Sequence, residues 1–129
     1  MTLRGKSVFV TGANSGIGLA TALRFAQEGA DVAIFSRRSG PNAAARAQLE
    51  AQGVRALAFE GDVADEAAVR EAINATVEAW GGLHYAFNAA GAAQSVTPLT
   101  ELSLHEYEAL MSANARGTFL SMKHQIPAI

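Results

Sequence analysis

At 129 residues, half of them hydrophobic and 17% charged, the chain has the size and composition of about one soluble globular domain, and no apolar run approaches the roughly 18 residues of a membrane span. A formal net charge of −2 gives no basic field for nucleic acid, and the lack of cysteine excludes a disulfide framework, a thiolate zinc site and a cysteine nucleophile. The amino-terminal segment has no secretory-signal pattern, so we expect a cytoplasmic protein.

Strand-like and helix-like patterns alternate from the start of the chain. The run "SVFVTG" (7–12) predicts a strand, residues 17–28 predict a helix, and "DVAIFS" (31–36) predicts a second strand. This opening is a β–α–β unit. The strands are short apolar runs without strict alternation, as expected when helices cover both faces of a parallel sheet.

The alternation continues through the second half. A helix is expected over 42–52, with Gly53 at its end, and "VRALAFEGD" (54–62) contains a third strand. A fourth strand is expected in "LHYAFNAAG" (83–91). Between these two strands lies a helix whose apolar stripe is formed by Val69, Ile73, Val77 and Trp80.

The start of the last helix is predicted from a capping pattern. Ser103 and Glu106 form an S-x-x-E box, in which each side chain can satisfy the other's free backbone N–H. The fold class is therefore α/β, a doubly wound parallel sheet of about four strands and four helices. We predict the strand order 3-2-1-4, with a ligand site between strands one and four.

Three glycines follow the first strand. In a dinucleotide-binding unit the first makes the tight turn, the second admits the pyrophosphate to the backbone, and the third lets helix and strand pack closely. Gly12, Gly16 and Gly18 occupy these stations, and the helix beginning near Ile17 adds free N–H groups that suit an anion. The pattern indicates a single NAD(P)-binding Rossmann domain over 1–129. The alternative is an ordinary glycine-rich turn.

Four motifs in order resemble the short-chain dehydrogenase/reductase family. They are "TGANSGIG" (11–18), "GDV" (61–63), "NAAG" (88–91) and "NARG" (114–117). The resemblance covers essentially the whole chain and matches the amino-terminal, cofactor-binding half of a family member. It implies an oxidoreductase that transfers hydride between a nicotinamide and a small carbonyl or alcohol substrate.

The resemblance also implies residue roles. Asp62 and Val63 recognise adenine, Asn88 ties the fourth strand to its neighbour, and Asn114, the one member of the catalytic set in this chain, holds a water. For Asp62 the alternative is a helix-capping carboxylate. No metal site is expected, since His84 and the other histidines lack ligand spacing. The implied cofactor-binding residues are Gly12, Asn14, Ser15, Gly16, Ile17, Gly18, Ser36, Arg37, Arg38, Asp62, Val63, Asn88, Ala89, Ala90 and Gly91.

The end of the second strand bears on the cofactor. An NAD-binding unit places Asp or Glu there for the ribose 2′-hydroxyl, whereas this chain has Ser36 followed by Arg37 and Arg38. A guanidinium can pair with a 2′-phosphate, so we predict NADP(H) in preference to NAD(H). Ser15 departs from this pattern, because many NADP-preferring relatives carry a basic residue there. The alternative is a pair of solvated surface arginines.

The family's catalytic tyrosine and lysine, four residues apart, are missing from these 129 residues. Four residues after Tyr85 stands Ala89, and four after Tyr107 stands Met111. We therefore expect a fragment that is inactive alone, from an enzyme that is homo-oligomeric at full length. The alternative is a non-catalytic nucleotide-binding or interaction module, and the reading frame beyond Ile129 would discriminate between them.

The isolated chain is also expected to self-associate. Its fourth strand would form an open sheet edge, with unpaired backbone groups available to other chains. On the last helix we expect Leu110, Met111 and Leu120 to remain partly exposed.

Overall fold

The computed structural model describes residues 2–129 and contains one sheet with helices on both faces. No helix in this range is long and apolar enough to cross a membrane. In chain order the elements are β1 (Ser7–Thr11), α1 (Gly16–Gln27), β2 (Asp31–Ser36), α2 (Ser39–Glu50), β3 (Ala56–Glu60), α3 (Glu66–Trp80), β4 (Tyr85–Asn88), a 3₁₀ turn (Leu99–Glu101), α4 (Leu104–Met111), a π-helical segment (Ser112–Arg116) and α5 (Gly117–Ala128).

The sheet has the strand order β3-β2-β1-β4, and every pair is parallel, which confirms the predicted topology. Val10 of the central strand β1 pairs with Ile34 of β2 on one side and with Phe87 of β4 on the other. The chain crosses to the opposite side of β1 between β3 and β4. Such a reversal opens a crevice at the carboxyl ends of the strands.

Two apolar cores flank the sheet because successive strand residues face opposite sides. On the α1–α2 side, Val8 and Val10 pack with Leu49 of α2. On the other side, Phe9 packs with Ile73 of α3. All five side chains are fully buried. The predicted apolar stripe of α3 therefore faces the sheet.

The second helix begins earlier than predicted. It starts at Ser39, so Gly40 and Pro41 lie in its first turn instead of in a preceding loop. Proline is tolerated there because the first N–H groups of a helix have no intrahelical partner. The helix ends at Glu50, two residues before the predicted limit of 52.

The last helix differs from the uninterrupted one that the sequence predicts. Residues 104–128 are helical throughout, but the π-helical segment separates α4 from α5. The Thr118 hydroxyl donates to the Asn114 carbonyl at 2.8 Å and satisfies an acceptor in this widened turn. The expected exposure of Leu120 is wrong, because α5 packs it into the protein at 5% exposure, whereas Met111 is 44% exposed.

Only half of the predicted capping box forms. The Ser103 hydroxyl accepts the Glu106 N–H at 3.1 Å, as predicted. The Glu106 carboxylate, however, accepts from Ser95 in the preceding loop and not from Ser103. The sequence pattern could not show this competing donor, which lies 11 residues upstream.

An ion cluster joins the start of α3 to α5. Glu66 Oε2 lies 2.7 Å from Lys123 Nζ and 2.8 Å from His124 Nε2. Hydrogen bonds from Lys123, and then from His124, lower the pKa of Glu66 from 4.5 to about 2. Its stabilising contribution is therefore complete above the unfolded-state pKa and is lost as the pH falls toward 2.

We expect Glu66→Gln to destabilise the protein at pH 6 and to have progressively less effect as the pH falls from about 4.5 toward 2, because the Glu66 carboxylate takes up a proton in the unfolded chain before it does so in the folded one. Urea unfolding at a series of pH values measures the difference. Glu71→Gln is the matched control, since Glu71 is an exposed acid on the same helix. A constant difference for Glu66→Gln across this range would contradict the assignment.

Candidate functional site

A cleft of about 400 Å³ lies at the carboxyl ends of the strands, at the crevice that the topology creates. All the predicted cofactor-binding residues line it except Gly16 and Asn88. Three further residues, Phe35, Gly61 and Ala113, also line it and were not predicted. Its lining is Gly12, Asn14, Ser15, Ile17, Gly18, Phe35, Ser36, Arg37, Arg38, Gly61, Asp62, Val63, Ala89, Ala90, Gly91 and Ala113.

The three glycines of the first turn have different surroundings. Gly12 has a φ of +67°, and a Cβ there would lie 2.6 Å from the backbone nitrogen of Ala90. A Cβ on Gly18 would overlap the Gly12 carbonyl, so this glycine lets α1 approach the turn. Gly16 has a φ of +56°, and a Cβ there would meet no atom within 4 Å. Two glycines thus allow close packing, and the third faces open space.

The amino terminus of α1 has the properties of an anion site. Ser15 is the extended N-cap residue, but its side chain makes no capping hydrogen bond, and the first turn contains no acidic residue. The first N–H groups of a helix have no intrahelical acceptor, and the helix dipole is positive at this end. Because Ser15, Ile17 and Gly18 line the cleft, these groups are available to a bound anion.

The end of β2 is bonded to the glycine turn. The buried Ser36 hydroxyl accepts the Ala13 N–H at 3.0 Å, and the Phe35 carbonyl accepts the Gly12 N–H at 2.9 Å. The Asn42 amide, on α2, donates to the Ser36 carbonyl at 3.1 Å. Ser36 therefore positions the loop through its hydroxyl oxygen, a bond that no local sequence pattern predicts.

Arg37 and Arg38 lie at the rim of the cleft and are exposed. Neither guanidinium makes an ion pair or a hydrogen bond within residues 2–129, while four other cationic side chains, including Arg55 and Lys123, pair with carboxylates. Arg38 is also the N-cap of α2, whose first turn has no acidic residue. Two unpaired cations and a helix amino terminus thus form a positive corner beside Ser36.

Asp62 does not cap α3. Its Oδ1 accepts the Ala64 N–H at 2.9 Å, whereas the N-cap is Asp65, which accepts from Ala68. The alternative reading of Asp62 as a helix cap is therefore wrong. Asp62 lines the cleft, and its Oδ2 accepts no hydrogen bond from the residues that the structure describes.

Asn88 links β4 to α5 and β1 through side-chain hydrogen bonds, and it does not line the cleft. Its amide exchanges two hydrogen bonds with the amide of Gln125 on α5, at 2.9 and 2.8 Å. Its Oδ1 also accepts from the Thr11 hydroxyl at 3.3 Å, and that hydroxyl accepts the Ala90 N–H at 3.4 Å. Sequence reasoning missed Thr11 and Gln125, because a polar residue acquires such a role only through a distant partner.

Asn114 lies in the π-helical segment, one residue from the cleft-lining Ala113. Its amide donates to the carbonyls of Ala92 and Leu110 at 2.8 and 3.0 Å and accepts the Ala92 N–H at 3.2 Å. A Cβ on Gly91 would collide with this amide oxygen. The side chain thus holds the backbone that follows β4, and its role in holding a water stays a prediction.

The tyrosines lie away from the cleft. Tyr85 packs against Phe25, with ring centroids 5.9 Å apart, and Tyr107 is 47% exposed on α4. Among residues 2–129, no three His, Asp or Glu side chains are grouped so that they could hold a metal ion.

Comparison with known proteins agrees with the fold. The family model described as short chain dehydrogenase matches residues 6–129. Over 127 residues, the chain is 41% identical to the 2,5-dichloro-2,5-cyclohexadiene-1,4-diol dehydrogenase of Sphingobium indicum, covering 98% of this chain and 50% of the relative. The chain therefore belongs to the short-chain dehydrogenase family.

Solved structures extend the likeness. A short chain dehydrogenase from Burkholderia cenocepacia, in complex with NADP, matches all of this chain and 53% of its own, with 37% identity and a TM-score of 0.94. An NAD⁺-bound xylitol dehydrogenase matches 99% of this chain and 49% of its own, with 30% identity and a TM-score of 0.96. The chain thus spans about half the length of these relatives.

Proposed function

We propose that this chain forms the cofactor-binding part of an NADP(H)-dependent oxidoreductase, which transfers hydride between the nicotinamide and a small carbonyl or alcohol substrate. The observation that carries the proposal is the cleft, which joins the glycine turn to an unpaired arginine pair at the end of β2. When bound, the nicotinamide supplies or accepts the hydride. The residues of the chain hold and orient the cofactor.

The phosphate contacts follow from the backbone. The uncapped amino terminus of α1 suits the pyrophosphate, which needs no basic side chain there. The open space at Gly16 supports this placement, because a phosphate can come close to a residue without a side chain. On this assignment Gly12 and Gly18 shape the turn, and Gly16 keeps it open.

The adenosine end decides between the two cofactors. Arg37 and Arg38 are free to bind a 2′-phosphate, and β2 ends on Ser36, which adds no negative charge against it. The NADP complex of the Burkholderia relative supports the choice, while the NAD⁺-bound relative shows that the fold alone does not decide it. On this proposal the free Oδ2 of Asp62 accepts a hydrogen bond from the adenine amino group, and the Val63 backbone completes that pocket.

The nicotinamide end lies where β4 ends. Ala89, Ala90 and Gly91 line the cleft there, and the Ala90 backbone is held against Gly12. These small residues leave space for the ribose and the ring. We further propose that the full-length protein is a homo-oligomer, because the large apolar side chains of Met111 on α4 and Phe119 on α5 are exposed at 44% and 62%. The cytoplasmic location is proposed from the amino-terminal sequence alone.

We expect Arg37→Ala to weaken NADPH binding by about 1.5–3 kcal/mol and to leave NADH binding nearly unchanged, since only NADPH carries the 2′-phosphate. Isothermal titration of both cofactors measures the change. Arg46→Ala is the matched control, because Arg46 is an exposed arginine on α2 that pairs with Glu50 and does not line the cleft. Equal affinity of the wild-type chain for the two cofactors would contradict the proposed preference.

A further inference from the structure

The loop after β4 is hydrogen-bonded to α4 through one carboxylate oxygen of Glu106. Glu106 Oε1 accepts the Ser95 backbone N–H at 3.3 Å and the Ser95 hydroxyl at 3.0 Å. The same hydroxyl lies 2.9 Å from the Thr97 hydroxyl. Hydrogen bonds to a charged acceptor are stronger than those between neutral groups, so Glu106 is the strongest point of attachment in this part of the loop.

A second attachment lies closer to the cleft. Asn114 exchanges hydrogen bonds with both backbone groups of Ala92, at 3.2 and 2.8 Å. The residues beside this anchor, Gly91 and Ala113, both line the cleft. Segment 92–95 is thus held at both ends by one helical unit, which also forms part of the cleft wall.

Residues 92–98 contain no helix or strand of their own, so these side-chain contacts supply much of their order. Without the Ser95 contact, the loop beyond Ala92 would gain conformational freedom. The loss of that freedom when a ligand binds would weaken binding. The adenosine end of the cleft, formed by Arg37 and Asp62, lies on other loops. Among the described residues, neither side chain hydrogen-bonds to the Ser95, Glu106 or Asn114 attachments.

We propose that Glu106 is a positioning residue, which holds Ser95 and thereby fixes the wall of the cleft on the nicotinamide side. The inference rests on the proposed function, because it assumes that this cleft binds a nicotinamide dinucleotide. Glu106 itself need not touch the ligand. Its effect passes through the segment that runs from Ser95 back to Gly91.

The test compares two ligands on the same variants. NADPH fills both ends of the cleft, whereas adenosine 2′,5′-bisphosphate carries only the adenosine and phosphate groups. We expect Glu106→Ala to weaken NADPH binding about fivefold and to change binding of the bisphosphate by less than about twofold. Glu106→Gln keeps an acceptor oxygen in place of Oε1 and should bind NADPH within about twofold of wild type.

Glu108→Ala is the matched control, because Glu108 is an exposed acid on the same helix and makes no side-chain hydrogen bond or ion pair within the described chain. Amide hydrogen exchange should be faster at residues 92–98 in Glu106→Ala and unchanged in Glu108→Ala. If Glu106→Ala weakened the binding of both ligands equally, or if Glu106→Gln did not restore NADPH binding, the positioning role would be overturned and the proposed function would stand. A wild-type chain that binds neither ligand would overturn both.

Discussion

Gly16→Val is expected to abolish binding of NADPH and leave the helical content of the chain nearly unchanged. A Cβ at this position meets no protein atom within 4 Å, so the branched side chain would occupy open space beside the α1 amino terminus. That space is where the proposal places the pyrophosphate. The valine side chain would therefore clash with the bound pyrophosphate and would not disturb the packing of the core.

Gly16→Val also strains the backbone and so lowers the stability of the chain, and the experiment has to separate this destabilisation from the loss of NADPH binding. Gly16 has a φ of +56°, and a β-branched residue is strained there. Gly53→Val is the matched control, because Gly53 has a φ of +87° and also faces open space, but it lies between α2 and β3 and not at the amino terminus of α1. Circular dichroism and titration of both variants give the comparison. Retained NADPH affinity in Gly16→Val would refute the role of this glycine.

The second large effect is an absence of turnover. We expect the 129-residue chain to bind NADPH but to reduce no ketone or aldehyde. Reduction needs a proton donor near the developing alkoxide, and a tyrosine with a pKa of about 10 serves only beside a cation that lowers it. Neither Tyr85 nor Tyr107 lines the cleft, and Lys123 is bound to Glu66 at 2.7 Å.

An assay of NADPH oxidation with a panel of ketones and aldehydes tests this expectation. The short chain dehydrogenase from Burkholderia cenocepacia, assayed in parallel, shows whether the panel contains a substrate for a relative. Carbonyl-dependent oxidation of NADPH by this chain, abolished in Gly16→Val, would contradict the prediction. No oxidation together with tight NADPH binding would agree with both the fragment and the binding-module interpretations of the sequence.

The sequence predicts the architecture well because the relevant signals are local. The apolar run of β1, the glycines at 12, 16 and 18, and the stripe beginning at Val69 each specify an element without reference to distant residues. Parallel strands joined by helices then admit few topologies, and the order β3-β2-β1-β4 is one of them.

The details that the sequence did not predict depend on distant partners. Glu106 completes a capping box in the pattern but bonds to Ser95 in the structure, because the loop brings the N–H and the hydroxyl of Ser95 within reach. Gln125 is buried on α5, and only its pairing with Asn88 explains a buried amide there. The π-helical segment around Asn114 likewise forms where the side chain bonds to Ala92, 22 residues upstream.

The central claim is that this cleft binds NADP(H), and a titration of the labelled wild-type chain with NADPH, followed by amide chemical shifts, tests it most directly. We predict saturable binding with the largest shifts at Gly18, Arg37, Asp62 and Ala90, and little change at the groove formed by Leu3, Phe25 and Glu28 on the outer side of α1. No saturable binding, or shifts centred on that outer groove, would contradict the account.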